Sequence, residues 1–528
     1  MIGRPAGSPL VNAYVRGDAV AAPYFNGSWR DPQAYRRMLD AVDRRFEAAA
    51  RRRALEATNA PAGVDRERLD RWVQESGVVV TTGQQPGLMG GPLYSLYKGI
   101  STVRLAERLE ALLDRPVLPL FWVASEDHDW EESDHTYLID SSNRLVRVQV
   151  PDQGSGNRAI HRVPLGADIE LWVDEVARLL PQTDFSAPYI EVIREAYRPG
   201  VTLAQGFQSV LGAIFEPLGV LFADAANPAL KDISQSVLLS ELDHAEAHEA
   251  ILREDAERLE KEGFPLQVPI LEDGVNLFLE GAEGRERLYR RPGGFELHRS
   301  GERLTAEEIR SRVVEDPMAL SPNVLFRPLV ESTVFPVVSY VAGPGELAYY
   351  AQLKRFYEAH GLTMPVLFPR HGVTVVESKI RKVIDKFGLK TEDFSRPYHE
   401  IASEIARDEV PANVRTALGQ LAGSIAEGSR ALLDAARTID PTLKGPVMHA
   451  RNAALAAFQD VERKIVQSVK RENEIGLAQL EKALLHLFPE GKPQERVLNP
   501  LYYLTRYGNR FVEALVDGFE VDLTDGTE

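Results

Sequence analysis

The chain of 528 residues contains no cysteine. This absence excludes disulfides, thiolate nucleophiles, and zinc or iron–sulfur sites that depend on cysteine ligands. The sequence also lacks an apolar run long enough to cross a bilayer, and its opening residues, MIGRPAGSPLVNAYVRGD, lack the apolar stretch of a secretory signal. We therefore expect a soluble, cytoplasmic protein.

Positive charge is scarce relative to negative charge. The chain has 61 lysines and arginines against 78 aspartates and glutamates, which gives a net charge of −17. Because nucleic acids and anionic membranes are bound through basic surfaces, we expect neither as a partner. The hydrophobic share of 44% is typical of a globular protein with a large core.

Strand and helix patterns alternate through the first two thirds of the chain. Residues 78–82 form an apolar run, a glycine-rich turn follows, and residues 93–113 carry apolar side chains at helical spacing after Pro92. A second apolar run, VLPLFWVAS, completes a strand–helix–strand unit and predicts a parallel sheet. Further strands are predicted at residues 219–225, 334–343 and 364–370.

Two segments with different sequence patterns interrupt this alternation. Residues 151–198 look irregular, whereas residues 265–299 contain short alternating runs with glycine-rich breaks, as small hairpins do. We expect both segments to be insertions in an open α/β sheet.

Long helices are predicted past about residue 382. Apolar residues recur there at approximately heptad spacing, at Val414, Leu418, Leu421, Ile425, Leu432 and Ile439, and then at Ala454, Phe458, Val461 and Ile465. The pattern predicts an antiparallel coiled-coil arm, with an ordinary helical bundle as the alternative. Its narrow apolar stripe favours a homodimer. The aromatic-rich tail is expected to pack back on another domain.

The turn TTGQQPGLMGGP has the composition of a binding loop. Its glycines would let a ligand approach the backbone, and the following helix would direct free N–H groups and a positive dipole at an anion. Lys98 lies nearly two turns into that helix. We expect a phosphate site here, with a tight turn held by the amides of Gln84 and Gln85 as the alternative.

The acidic loop SEDHDWEESDH follows the second predicted strand. Ligands of open α/β sheets bind at the carboxyl ends of the strands. Glu126, Asp127, His128 and Asp129 are therefore candidates to orient a substrate amine, to act as acid or base, or to hold Mg²⁺. A solvated acidic loop is the alternative.

Two further stretches are expected near the same edge of the sheet. VSYVAGPGELAYYAQLK contains Glu346 and Tyr349, for which a capped helix with aromatic core contacts is the alternative. PRHGVTVVESKIRK contains Arg370 and a basic helix start at Ser378 and Lys379 that would suit a phosphate. A solvated basic face is the alternative for this second stretch.

The sequence DHAEAHE places His244 and His248 four residues apart on a predicted helix. A zincin motif requires glutamate directly after the first histidine, where this chain has Ala245. We therefore predict solvent-facing helix residues rather than metal ligands.

Several stretches together resemble one family, namely TTGQQPGLMGGPLYSLYKGIS, FWVASEDHDWEE, LSPNVLFRPLVEST, SYVAGPGELAYYAQLKRFYE and MPVLFPR. In this order, across nearly the whole chain, they are similar to the BshC family, the cysteine-adding enzyme of bacillithiol synthesis. The resemblance implies a Rossmann-like, nucleotidyltransferase-type core with two inserted segments and an α-helical coiled-coil domain that supports dimerisation. It also implies a ligase reaction in which cysteine joins the amine of glucosaminyl-malate.

On this basis we predict three parts of the chain. Residues 1–383 form an α/β, Rossmann-like core with insertions near residues 151–200 and 263–320. Residues 384–497 form an antiparallel α-helical coiled-coil domain, and residues 498–528 pack back on the core. Amide formation requires an activated cysteine carboxylate, for which we expect ATP and Mg²⁺, with an acyl-adenylate and an acyl-phosphate both open as intermediates.

The predicted site has three sets of residues. Catalysis is assigned to Lys98, Asp127, His128 and Asp129. Substrate binding is assigned to Gln84, Gln85, Tyr94, Glu346, Tyr349 and Arg370. Nucleotide binding is assigned to Gly83, Gly90, Gly91, Ser378 and Lys379, and no resident metal is assigned. The alternatives are a coiled-coil scaffold with a degenerate nucleotide-binding core and a metal-dependent hydrolase that uses the SEDHD loop.

Overall fold

The computed structural model describes residues 2–61 and 63–524. These residues form two compact units, one within Met1–Val373 and Glu495–Glu528, and the other Thr374–Gln494. The strands are, in chain order, β1 (Ile2–Gly3), β2 (Val78–Gln84), β3 (Val117–Val123), β4 (His135–Ile139), β5 (Leu145–Gln149), β6 (Leu221–Asp224), β7 (Gly274–Gly281), β8 (Gly284–Arg291), β9 (Gly294–Leu297), β10 (Arg303–Leu304), β11 (Leu320–Pro322), β12 (Val337–Ala342), β13 (Val366–Pro369) and β14 (Gly372–Val373).

The α-helices alternate with these strands in the first unit and make up most of the second. They are, in chain order, α1 (Pro9–Arg16), α2 (Pro32–Asp43), α3 (Ala48–Glu56), α4 (Arg66–Gln74), α5 (Leu93–Leu113), α6 (Trp130–Ser133), α7 (Ile169–Leu179), α8 (Ser186–Ala196), α9 (Leu203–Phe215), α10 (Pro228–Lys261), α11 (Ala306–Glu315), α12 (Arg327–Val334), α13 (Pro344–Tyr350), α14 (Lys354–Ala359), α15 (Ser378–Phe387), α16 (Tyr398–Asp408), α17 (Ala412–Arg437), α18 (Lys444–Glu472), α19 (Glu474–Leu487), α20 (Leu501–Tyr507) and α21 (Arg510–Gly518).

The first unit is built on a parallel sheet with the strand order β13-β12-β2-β3-β6. The apolar strands β2 and β3 are buried on both faces, as expected for a parallel sheet covered by helices. This confirms the predicted α/β class. Strand β2 extends two residues past its predicted end, because Gly83 and Gln84 still pair with Trp122 and Val123 of β3.

Helix α5 connects β2 to β3 and lies against both strands. Its bounds match the predicted ones, because Pro92 supplies an extended N-cap and Asp114 ends the helix in the left-handed conformation, at φ 52°. The start of α5 follows the carboxyl end of β2, so Tyr94 and Lys98 are placed at the edge of the sheet where α/β ligand sites form.

The two inserted segments have different structures. The prediction of irregular structure for residues 151–198 is wrong, because this segment contains α7 and α8. Helix α7 buries residues at the i, i+3, i+4 and i+7 positions of an amphipathic helix, namely Ile169, Trp172, Val173 and Val176. The second insertion contains the predicted hairpins, which form an antiparallel sheet with the order β10-β9-β8-β7-β11.

In the second unit, α17 and α18 pack on each other as a hairpin joined by a turn at Pro441–Leu443. The described residues of this arm leave part of the apolar stripe uncovered, since Leu421, Leu432 and Val461 are 49%, 55% and 48% exposed. In the described parts of the chain, no helix has both the length and the apolar character that crossing a membrane requires.

Candidate active site

A cavity of about 540 Å³ lies at the carboxyl edge of the parallel sheet. Its walls come from the ends of β2 and β3, from the starts of α5 and α13, and from β7, β8 and β11 of the inserted sheet. The volume is in the range of small-molecule sites. The predicted site residues that line it are Gly83, Gln84, Gln85, Tyr94, Lys98, Asp127, His128, Glu346, Tyr349 and Arg370.

Lys98 is a buried cation in the cavity wall. Its Nζ donates to the Gly83 carbonyl at 2.7 Å and to Gln84 Oε1 at 3.0 Å, and it lies 2.7 Å from Glu346 Oε2. Burial lowers the pKa of Lys98, and the Glu346 carboxylate opposes that shift. The ammonium therefore ties the end of β2 to the start of α13.

Glu346 is held in place by its neighbours. Its Oε1 accepts from the Tyr340 hydroxyl at 2.6 Å, and its Oε2 accepts from the Gly343 N–H at 2.7 Å. With the neighbouring ammonium as a further partner, this carboxylate is already well satisfied. Tyr349 stacks on Tyr350 with ring centroids 5.2 Å apart, and burial raises the pKa of Tyr349 to about 12, so its hydroxyl is protonated at neutral pH.

The SEDHD loop places Asp127 in the cavity wall and Asp129 outside the lining. Asp127 Oδ1 accepts from the N–H of His128 at 2.7 Å, and its Oδ2 accepts from the side-chain amide of Gln85. Asp129 is exposed, and its Oδ1 accepts from the N–H of Glu132 at 3.1 Å at the start of α6. The local role of Asp129 is that of a helix cap.

The His128 ring has a defined tautomer. Arg285 Nη1 lies 3.1 Å from His128 Nδ1. Because a guanidinium can only donate, Nδ1 is the acceptor and the ring proton resides on Nε2. Burial lowers the pKa of His128, and Arg285 lowers it further, against the effect of Asp127. His128 is therefore a neutral donor through Nε2, which argues against the expectation that it removes a proton.

Arg285 and Arg287 line the cavity from β8 and are absent from the predicted site. Arg285 donates to Ser321 Oγ and to the Pro322 carbonyl, both at 2.9 Å. The guanidinium carbons of Arg285 and Arg287 lie 3.9 and 4.8 Å from the centroid of the Phe278 ring. Their spacing of two residues in a predicted hairpin is the sequence signal that places both on one face of a strand.

Two other arginines of the wall have carboxylate partners. Arg370, predicted to bind substrate, donates to both carboxylate oxygens of Glu495, at 2.9 and 2.5 Å, in a buried bidentate pair. Arg327, another residue absent from the predicted site, donates to Glu331 Oε2 at 2.8 Å. The main role of these pairs is therefore to fix the wall.

The start of the SEDHD loop is anchored by buried polar contacts. Glu126 accepts from Lys231 Nζ, which also donates to the Leu320 carbonyl at 2.7 Å. Burial raises the pKa of Glu126, and the Lys231 ammonium opposes that shift. The Ser125 hydroxyl donates to the carboxylate of Asp224 at the end of β6. These contacts connect the loop to β6, to α10 and, through Lys231, to β11 of the inserted sheet.

The glycine-rich turn is closed by the C-terminal segment of the first unit. Asn499 Nδ2 donates to three carbonyls of the turn, including that of Gly91 at 3.1 Å. The N–H of Leu93, the first residue of α5, donates to the Leu498 carbonyl at 2.9 Å and is not available to an anion. Gly90 and Gly91 have φ values of 85° and 73° and lie outside the cavity lining. Their geometry serves the turn.

Ser378 and Lys379 belong to the second unit, where they begin α15. Lys379 Nζ lies 3.9 Å from Glu377 Oε2. The cavity described above is lined by residues of the first unit. The phosphate-binding role of Ser378 and Lys379 stays a prediction.

Two family models match the chain. The model for "Bacillithiol biosynthesis BshC, N-terminal Rossmann-like domain" matches residues 2–371. The model for "Bacillithiol biosynthesis BshC, C-terminal coiled-coil domain" matches residues 373–522. The matches together cover nearly the whole chain, in the order that the sequence motifs predict.

The chain is also similar along most of its length to proteins named "Putative cysteine ligase BshC". The protein of Salinibacter ruber is 31% identical over 513 residues, which is 96% of this chain and 93% of the relative. That of Prosthecochloris aestuarii is 31% identical over 512 residues, covering 93% and 90%. That of Bacillus licheniformis is 26% identical over 533 residues, covering 97% and 95%.

Proposed function

The chain belongs to the BshC family of bacillithiol biosynthesis, and we propose that it is a ligase that joins cysteine to the amine of glucosaminyl-malate. The observation that carries this proposal is the composition of the cavity. A buried ammonium and a fixed carboxylate lie at the strand ends, and an arginine-bearing wall comes from the inserted sheet. This combination suits a small substrate with several carboxylates.

The substrate anion is assigned to Arg287 and Arg496. Both line the cavity, and among the described residues neither forms an ion pair. Arg287 is half-buried beside Phe278, so a carboxylate there would meet a partly desolvated guanidinium that can donate two parallel hydrogen bonds. We assign the malate carboxylates of the acceptor to these two arginines, in place of the predicted contact with Arg370.

We assign to Lys98 and Asp127 the contacts with those groups of the substrates that react. The Lys98 ammonium, buried beside the Gly83 carbonyl, would stabilise negative charge that develops on an oxygen bound at the end of β2. Asp127, held by Gln85 and by its own loop, presents a preorganised carboxylate that would orient the attacking amine. His128 would add a donor through Nε2. These roles rest on the ligase proposal.

ATP with Mg²⁺ is proposed as the source of activation for the cysteine carboxylate. When bound, the nucleotide supplies the leaving group that amide formation requires. The cavity cations suit phosphate, but the nearby carboxylates do not offer a ready Mg²⁺ site, because Asp127 accepts from Gln85 and Glu126 accepts from Lys231. We therefore assign no protein ligand to Mg²⁺.

The arm is proposed to form a homodimer, and the protein is proposed to act in the cytoplasm. Within the second unit, Leu421, Leu432 and Val461 leave about half of their surface exposed on the hairpin of α17 and α18. An apolar stripe of this kind is stabilised by a second helical hairpin. We propose a second copy of the chain as this partner, and the match of this unit to a coiled-coil family model supports the proposal.

The test is a product assay by mass spectrometry with purified full-length protein, cysteine and glucosaminyl-malate, with and without ATP and Mg²⁺. The proposal predicts a condensation product lighter than the summed substrates by one water, formed only when nucleotide is present. Bond cleavage that needs metal but no nucleotide would favour the hydrolase. No turnover, with an intact dimer, would favour the scaffold.

A further inference from the structure

Glu241, His248 and His360 meet on the first unit, outside the cavity lining. One carboxylate oxygen and one nitrogen of each ring all lie within 4.8 Å of one another. We propose that these three side chains bind a divalent transition-metal ion, with Zn²⁺ as the probe. The prediction that His248 faces solvent is wrong, because its side chain is buried against Glu241 on α10.

His360 carries the clearest sign of a missing partner. Its Nδ1 lies 2.9 Å from the Phe356 carbonyl, to which it donates, so the lone pair of the neutral ring resides on Nε2. That Nε2 is buried and has no hydrogen-bond partner among the described residues. A histidine that donates through one nitrogen to a carbonyl and offers the other is the usual arrangement of a metal ligand. A metal ion would satisfy this nitrogen.

Glu241 and His248 supply the other two ligands. Glu241 is fully buried, and its Oε1 accepts from the N–H of Asn276 at 3.2 Å and from Asn276 Nδ2 at 2.8 Å. These bonds orient the carboxylate, as outer partners of metal ligands do. The other oxygen, Oε2, faces His248 Nδ1, and the His248 ring centroid lies 4.3 Å from that of His360. Metal binding at His248 Nδ1 would replace this hydrogen bond, and the neutral ring would carry its one proton on Nε2 instead.

Two imidazoles and one carboxylate form a ligand set suited to Zn²⁺. A site of this type does not require cysteine, which the chain lacks. Bonds of about 2.0–2.2 Å in a tetrahedral site require ligand atoms roughly 3.5 Å apart. Glu241 Oε2 and His248 Nδ1, which lie 2.5 Å apart in a hydrogen bond, would therefore separate on metal binding. His244 lies one helical turn before His248, with its ring centroid 5.7 Å away, but it is exposed and outside this cluster, so the three residues leave the fourth position of the ion to solvent.

The position of the site indicates a structural role. It would join α10 to the end of α14. The Asn276 side chain that holds Glu241 also accepts from Asn323 Nδ2 at 2.9 Å, and Asn323 lines the cavity. The metal would therefore stabilise the packing behind one cavity wall. This inference is independent of the ligase proposal, because it concerns metal affinity rather than turnover.

The experiment measures Zn²⁺ binding to tag-free full-length protein, stripped with a chelator and titrated against a chromophoric competitor. The expected result is one tight Zn²⁺ per chain, weakened 10-fold or more in His248→Gln and in His360→Gln. The control is His449→Gln, which changes an exposed histidine of the arm and should leave binding unchanged. Wild-type affinity in both site variants would overturn the proposal, as would the absence of stoichiometric binding to the wild type.

A second measurement covers the case in which a variant does not fold. The melting temperature of the stripped wild type is compared with and without Zn²⁺, and with Mg²⁺ as the control ion. Binding to the native state should raise the melting temperature with Zn²⁺ and leave it unchanged with Mg²⁺. An unchanged melting temperature at saturating Zn²⁺ would overturn the proposal without any variant.

Discussion

Replacing Lys98 with methionine separates the role of its charge in the fold from its role in chemistry. Methionine keeps the unbranched stem and removes the ammonium, which leaves Glu346 without its cation. Removing one partner of a buried ion pair costs about 3–5 kcal/mol. Glu346 retains its bonds from the Tyr340 hydroxyl and the Gly343 N–H, and its side chain is 17% exposed, so we expect a loss of about 2–3 kcal/mol in the free energy of unfolding.

The double variant Lys98→Met/Glu346→Gln provides the control. Its neutral amide needs no cation, so urea unfolding should recover at least half of the lost stability. Product formation, followed by mass spectrometry, should stay at least 10²-fold below the wild-type rate in both variants. A stable double variant with wild-type turnover would refute the catalytic role of Lys98. A single variant as stable as the wild type would refute the described ion pair.

Three further predictions follow from the geometry. Burial lowers the pKa of His161 to about 4, below the 6.5 of the unfolded chain, so protonation favours unfolding and stability is lost as pH falls from about 6.5 to about 4. Between pH 7 and pH 5, the free energy of unfolding in urea should fall about 2 kcal/mol less in His161→Gln than in the wild type. An equal fall in both proteins would contradict this prediction. Arg287→Ala should raise the KM for glucosaminyl-malate at least 10-fold. Arg287→Lys should raise it less, because lysine keeps the positive charge but lacks the planar guanidinium. An unchanged KM in both variants would remove the assignment. Leu421→Glu combined with Val461→Glu should shift the mass in light scattering from dimer to monomer, and a wild type that is already monomeric would show that the arm does not pair.

Local signals made the core of the fold predictable. Continuous apolar runs bounded by glycine and proline identify buried parallel strands, and Pro92 with helical spacing fixes α5 to the residue. Because strand ends in a parallel sheet share one edge, the order of motifs also places Gln85 and Asp127 together, and the structure joins them by a hydrogen bond.

The partners of the site residues were not predictable, because they depend on contacts between distant parts of the chain. Arg370 looks like a free cation in its own motif, yet its partner Glu495 lies 125 residues away. Arg287 enters the site only because β8 pairs with β7 in a register that sets it opposite Phe278. His248 is buried rather than exposed to solvent for the same reason, since α10 packs on α14 and the His248 ring contacts Phe356 and His360.

The central claim is that the cavity at the end of β2 and β3 is the site of ligation. The most direct test compares the product formation rates of Asp127→Asn and Asp129→Asn with all substrates saturating. The two changes are chemically identical and two residues apart, but only Asp127 lines the cavity. The account predicts a loss of about 10²-fold or more for Asp127→Asn and a rate within about 2-fold of wild type for Asp129→Asn, with similar melting temperatures. Equal rates in the two variants, or a greater loss for Asp129→Asn, would contradict it.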